Sequence, residues 1–354
     1  MSGGAEILGV GMMTPVGVNA PSTAAAIRAG IMRARETSLV DLRFRPYLGA
    51  FVSEEHLPAP DLPAARGLAA REQRMLRLAL PALKEAAAGL ERPLPLMLGL
   101  PEETDSSKGR EPMPFLKSLG LASGIALELQ RSRCFPNGRA AGLLALDAAV
   151  RFLDESKAPE VLVGGVDTLL DPMVLATLEV EDRIRRYGPA DGLIPGEAAV
   201  FLRLGRKGEG KRLGCVPLAR VLATATGQEP GHRYSREPYL GEGLAQTCRL
   251  LFDSTPAGLP PVRCVYAGFN GENFWAKEWG VTFLRSRERI AEAHRLEHPA
   301  ENVGDPGAAY GPLMVGAAAL GLRKGYREGP VLVWCSSDCE SRGAVLLQRG
   351  DPEA

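Results

Sequence analysis

The groups in this 354-residue sequence with the strongest intrinsic chemistry are six cysteines (Cys134, Cys215, Cys248, Cys264, Cys335 and Cys339) and four histidines (His56, His232, His294 and His298). A thiol becomes a nucleophile only where a base, a cation or a helix N-terminus lowers its pKa. Cys134 stands near a helix start marked by the turn Phe135-Pro136-Asn137-Gly138. Its plainer reading is a buried thiol that ends the preceding strand. Cys335 and Cys339 frame Ser336-Ser337-Asp338 after an apolar run. No second pair or neighbouring histidine completes a tetrahedral set, so structural thiols and no metal are expected. The four histidines read as surface or loop residues.

An aromatic segment, residues 269–279, carries the other candidates: Asn270 in an Asn-Gly turn, then Glu272, Trp275 and Trp279. Glu272 suits general acid–base work or, more simply, the N-terminal cap of the helix that follows. Trp275 and Trp279, at i and i+4, share a helix face and point to core packing or an oligomer contact. Gly9-x-Gly11 follows a strand, but Thr14 stands where a dinucleotide loop needs its third glycine. No cofactor is expected.

Hydrophobic periodicity supplies the elements that must position these groups. Short apolar runs predict strands at 7–11, 50–52, 95–100, 161–165, 198–202, 216–223, 262–267, 331–334 and 344–347. Helical spacing predicts helices from Ser22, as cap, to about Ala29, over 64–90, 139–153, 243–252 and 307–322. Residues 101–115, rich in Pro, Glu, Asp, Ser and Lys, read as an exposed loop, and the Gly- and Lys-rich stretch 205–211 as an exposed hinge. Strands alternating with helices define an α/β protein with mostly parallel pairing. The same order recurs in both halves, with boundaries at 1–205 and 212–354, the mark of a structural duplication.

Composition narrows the function classes. Lys plus Arg and Asp plus Glu are 42 each, so there is no surplus of cations for a phosphate backbone or an anionic membrane surface. With 45% hydrophobic and 24% charged residues the chain has the makeup of an ordinary globular protein. No run of apolar residues is long enough for a membrane span, and the start Met1-Ser-Gly-Gly-Ala-Glu has no basic region of a signal peptide. Dispersed cysteines fit reduced thiols and a cytoplasmic location.

Five segments, in chain order, resemble the β-ketoacyl-[acyl-carrier-protein] synthases of the thiolase superfamily: residues 9–17; the Ala-rich helix ending at Ala29-Gly30-Ile31; the helix from Gly142 with the strand 161–165; Asp191-Gly192-Leu193-Ile194-Pro195-Gly196-Glu197-Ala198-Ala199; and Gly304-Asp305-Pro306-Gly307-Ala308-Ala309. The resemblance implies a thiolase-like five-layered α/β/α/β/α fold with two duplicated halves, each a mixed sheet. It also implies a bacterial homodimer built through the N-terminal half, with sheet edges meeting across a two-fold axis. The family's chemistry uses a cysteine at a helix start and two histidines. In register with the resemblance those positions hold Arg139, Gly268 and Asp305. A guanidinium stays protonated and cannot attack a thioester. Arg139, a cation at a helix N-terminus, calls for a nearby anion. Asp305 is expected to be that anion, in a salt bridge filling the cleft; the alternative is an anionic ligand such as a pantetheine phosphate.

The resemblance therefore implies a pseudoenzyme: a ketosynthase-like scaffold, partner subunit or accessory factor. Relatives of this type serve as chain-length partners in acyl-carrier systems or are encoded beside type VI secretion effectors, so an acyl carrier protein or an effector is the implied partner. The contrasting reading is an active acyltransferase, a 3-oxoacyl synthase using a displaced nucleophile such as Cys134. Arg139, Asn270, Glu272 and Asp305 are the candidate ligand contacts.

Overall fold

The computed structural model describes residues 4–350 except 61, 91, 104–110, 157 and 186–190. In the first half, β1 (Ala5–Met13) leads to α1 (Ala20–Arg28) and a hairpin of β2 (Ala34–Val40) and β3 (Pro46–Ala50). Then come α2 (Ala70–Ala86), β4 (Leu96–Gly99), α3 (Met113–Ser123), β5 (Arg133–Phe135) and α4 (Ala141–Ser156). β6 (Glu160–Thr168), α5 (Pro172–Val180) and β7 (Glu197–Arg206) complete it. A short α6 (Glu209–Arg212) precedes β8 (Ala219–Gln228), α7 (Glu242–Asp253), β9 (Val262–Tyr266) and α8 (Asn273–Ser286). The chain finishes with β10 (Ile290–Glu297), α9 (Ala300–Val303), α10 (Tyr310–Lys324), β11 (Val331–Ser336) and β12 (Ser341–Arg349).

Ten strands hydrogen-bond in the order β10-β9-β11-β12-β8-β1-β7-β6-β4-β5. Counted along the chain within each arm, both read third, second, fourth, fifth, first. The arms meet where Ala5–Ile7 of β1 runs antiparallel to Ala219–Val221 of β8, three residues on each side. The sheet is mixed, not mostly parallel: β4 pairs in parallel with β5 and β6, and β9 with β10 and β11, while β7 and β12 run antiparallel to both neighbours. The last strand of each arm returns beside the first without a crossover, which the alternation of elements does not reveal.

The layers follow from what each helix touches. α2 and α3 cover the outer face of the first arm, and α7 and α8 that of the second. α4 and α10 lie between the arms and touch both. Sandwiched in this way, α10 buries residues all round, from Tyr310 through Leu322, and has no polar face. Close approach of the two central helices is made by residues without bulk. A Cβ on Gly142 of α4 would lie 2.1 Å from Pro312 Cδ of α10, and one on Gly165 of β6 would lie 2.2 Å from the Ala308 carbonyl.

Several elements differ from the sequence reading. α1 is capped by Asn19, whose side chain accepts from Ser22 N, while Ser22 answers as the third helical residue. β2 and β10 were not legible because they are largely exposed and polar, with little apolar alternation to read. α3 and α5 also lacked a prediction, although Asp171-Pro172 is a helix-start signal: Asp171 accepts from Met173 N and Val174 N. The expected loop 101–115 includes 104–110, which lie outside the described residues, and Met113 already opens α3. The expected hinge is partly structured, since Glu209 and Gly210 are buried. No helix among the described residues is long and apolar enough to cross a membrane.

Replacing Gly142 by Ala should lower unfolding free energy in urea by about 1–3 kcal/mol, because the new methyl meets a proline ring that cannot swing aside. Gly120→Ala in α3, where a Cβ meets Leu127 at an ordinary 3.5 Å, should instead stay within about 1 kcal/mol of the parent, in the stabilising direction.

Candidate functional site

Gly138, at φ +59°, turns the chain out of β5 into a single 3-10 turn, and this turn presents Arg139 at the start of α4. Arg139 as a whole is 5% exposed. Its Nε lies 3.0 Å from Asp305 Oδ2. That approach is off-line, and Nε makes no hydrogen bond, so the contact is one of charge. Nη1 donates to the Ser336 carbonyl at 3.2 Å and Nη2 to the Gly268 carbonyl at 2.5 Å. Trp275 and Tyr310 flank the group, with ring centroids 4.6 and 5.5 Å from Cζ. Burial by itself lowers the pKa of the guanidinium, but Asp305 together with Cys335, Asp338 and Tyr310 more than offsets this and the net direction is up.

Asp305 is held as firmly. Gly304, at φ +70°, precedes it; its Oδ1 accepts from Gly307 N at 3.0 Å and its Oδ2 from Asn270 Nδ2 at 2.7 Å. Asn270 Nδ2 also donates to Glu272 Oε2 at 2.9 Å, while Asn270 Oδ1 accepts from Glu272 N. Glu272 takes a two-pronged pair from Arg183, at 2.9 and 3.0 Å, and a further bond from Arg233 at 2.9 Å. Arg183 grips Asp338 in the same way, at 2.8 and 2.9 Å. Arg139, Arg183 and Arg233 thus face Asp305, Glu272 and Asp338, three charges of each sign. Burial pushes the carboxyls of Glu272 and Asp338 up, yet the bonds and charge of Arg183 leave both below their ordinary values.

Glu272 occupies the N-cap position of α8 without capping it through its side chain. Its oxygens are taken by guanidinium groups, by Asn270 and by Trp275 Nε1. Charge-assisted pairs outcompete a backbone cap for the same carboxylate. So engaged and ionised, Glu272 has no proton to give and no oxygen to spare as a base. Arg139 likewise turns Nη1 to Ser336, Nη2 to Gly268 and its charge to Asp305. A Cβ on Gly268 would lie 3.1 Å from Cys335 Cα and from the Trp334 carbonyl, a tight fit that a side chain there would have to displace.

The thiols stand apart from this network or are muted. On β5, Phe135 packs into the core between the arms, whereas Cys134 packs against the outer core under α2 and α3. The alternation of a strand puts Cys134 on the opposite side of the sheet from Arg139. Burial pushes its thiol up to about 11. Cys335 and Cys339 rise to about 12, in both cases mainly from burial. The histidines bond elsewhere: His298 to Glu301, His294 to the Ala291 carbonyl, and His232 to Tyr234 N. Among the described residues no group of three or more His, Cys, Asp or Glu is placed to hold a metal. Trp275 and Trp279 are both core residues. A second buried pair, Arg342 with Glu278 at 2.6 Å, was not foreseen; Ser336 Oγ bonds the same carboxylate at 2.6 Å.

No family model matches the sequence, and no curated protein does. Solved structures do match the fold. A ketosynthase from module 6 of the bacillaene synthase of Bacillus subtilis 168 superposes with a TM-score of 0.80 at 12% identity, over 99% of this chain and 73% of its own. The ishigamide ketosynthase/chain length factor gives 0.79 at 15%, over 98% and 99%. A type II polyketide ketosynthase, AntDE, in complex with its acyl-carrier protein AntF gives 0.77 at 14%, over 98% and 100%. The chain has the thiolase fold of the ketosynthases.

Asp305→Asn should destabilise the protein by about 3–5 kcal/mol in urea unfolding, because it strands a buried guanidinium. Replacing the pair together, Arg139→Met with Asp305→Leu, should recover most of that loss. Since Glu272 and Asp338 titrate below their ordinary values of 4.5 and 3.8, their stabilisation is present above those values. It is lost as pH falls through the lowered ones, so Glu272→Gln should flatten the acid limb of the stability curve.

Proposed function

We propose that this protein is a ketosynthase-fold pseudoenzyme that works through its surface, as a scaffold or partner subunit for another protein. The observation that carries the reading is the buried Arg139–Asp305 pair. A cation that cannot attack a thioester occupies the helix start where the resemblance places a nucleophile, and the thiol it faces, Cys335, is buried and pushed up to about 12. The supporting logic is one of cost. Charges this deep are tolerated only when every partner is in place, so the cleft is committed to structure.

The protein acts in the cytoplasm as a homodimer of chains whose halves divide at 1–205 and 212–354. β5 supports the dimer, since this sheet-edge strand pairs on one side only. The partner is an acyl carrier protein or a secretion effector. Of the two, a structural likeness favours the carrier: AntDE binds one. The contrasting reading, catalysis by Cys134, has against it both the face of the sheet on which that thiol lies and its raised pKa.

Incubating the protein with an acyl thioester, and separately with a thiol-directed ketosynthase inhibitor, tests the reading by intact mass. No stoichiometric adduct is expected on any of the six cysteines. A single fully acylated cysteine, mapped by peptide mass, would establish an enzyme and end the pseudoenzyme reading.

A further inference from the structure

The tip of the β2–β3 hairpin displays two large apolar side chains to solvent, Leu42 at 79% and Phe44 at 87% exposure. This tip is rigidly built. Asp41 Oδ1 accepts from Arg43 N and Arg45 N, both at 2.8 Å, and its Oδ2 pairs with the Arg45 guanidinium at 2.8 and 2.9 Å. Asp41 N donates to the Arg45 carbonyl, and Phe44 N to that of Asp41. Phe44 stands at φ +59°, a left-handed backbone that a bulky residue rarely adopts. Leu42 N reaches Glu179, tying the tip to α5, where Val180 is also exposed. An aromatic fixed outward by its own turn has the form of a preorganised anchor, which loses little freedom when it is buried.

The same chain carries a socket of matching kind. A cavity of about 130 Å³ opens between α2, α3 and the end of β4, walled by Met75, Leu100, Pro101, Phe115 and Pro136. Cavities of about 150 Å³ with apolar walls accept a benzene ring. Its lining carries Glu103 and Glu111, with Glu72 and Glu102 that also accept from Ala69 N and Cys339 N, and one cation, Arg71, paired with Asp167. The tip beside Phe44 carries Arg43 and Arg45, of which Arg45 is paired with Asp41, so Arg43 supplies its unpaired positive charge. The chain as a whole has no net charge, so this opposition is local to the two surfaces. Pro136 directly follows β5, so the socket opens at the sheet edge assigned above to the dimer.

We propose that the Leu42–Phe44 tip of one copy docks into the cavity between α2, α3 and β4 of a second copy, with Arg43 and Arg45 over its acidic rim. This contact rests on the homodimer reading and specifies it. The insertion buries the Phe44 ring against Met75 and Phe115, and the arginines meet carboxylates that a neutral knob would leave exposed. Glu102 adds a pH response. Burial, then the charge of Asp338, pushes its carboxyl up to about 7. The charged groups facing it are Asp338, Glu340 and the rim carboxylates, together with Arg71, which is paired with Asp167. Contact with the arginines is therefore strongest above pH 7, where Glu102 is ionised.

The test uses the full-length protein with a photoreactive benzoylphenylalanine replacing Phe44. Cross-links between copies, mapped to peptides holding Met75, Leu100 or Phe115, are expected. In sedimentation equilibrium, Phe44→Asp should weaken self-association about thirtyfold or more. Arg43→Glu should weaken it less, and adding Glu111→Arg should restore it. The tip is exposed, so an unchanged melting temperature of Phe44→Asp will show that its fold is intact. A dimer whose cross-links fall elsewhere, or one that Phe44→Asp leaves unchanged, overturns the contact while leaving the homodimer standing. A monomer at every concentration overturns both.

Discussion

Six charges gathered at one place, three of each sign and four of them buried, constrain everything around them. Each would cost several kcal/mol to bury unpaired, and only mutual pairing with good geometry makes the burial tolerable. The pairs also tie distant parts of the chain together. Arg183 follows α5 in the first half, Glu272 begins α8, and Asp338 sits in the turn between β11 and β12. Arg139 at the start of α4 reaches Gly268, Ser336 and Asp305. No one of these groups can be neutralised without stranding another, so the cleft between the two arms is set by electrostatics as much as by packing.

The duplicated sheet explains why the network forms where it does. The central helices α4 and α10 occupy equivalent places in the two arms and begin near each other, after Gly138 and Gly307 respectively. Helix starts crowd together there with the loops that follow β9 and β11, so side chains from several connections converge. In a condensing enzyme such convergence positions reacting groups. Here the same convergence is filled by arginines, carboxylates and tryptophan.

Legibility of the site divided along lines of sequence distance. Arg139 and Asp305 were readable because each lies in a segment that resembles a known signature, beside glycines whose backbone roles are recognisable. Glu272 and Asn270 stood out as an unusual turn, but the carboxylate's true partners did not. Arg183 lies 89 residues from Glu272 and 155 from Asp338, and nothing in local spacing announces such pairs. Cys134 tempted by proximity in sequence to Arg139. The two-residue period of a strand, seen once β5 was placed in the sheet, put its thiol on the other face.

What the sequence determined alone was the order of its most strongly patterned elements and the composition of the central layer. Buried strands such as Val161–Val163 and the small-residue helix from Tyr310 have apolar patterns that leave few alternatives, because backbone and side chains must both be satisfied without water. The exposed strands β2 and β10 and the meeting of β1 with β8 were decided by tertiary structure. Those features depend on which surfaces meet, and hydrogen bonds between strands place no demand on residue type that a linear reading can detect. The balance of these six charges belongs to the same class, since charge pairing acts through space and its partners are chosen only when the chain has closed on itself.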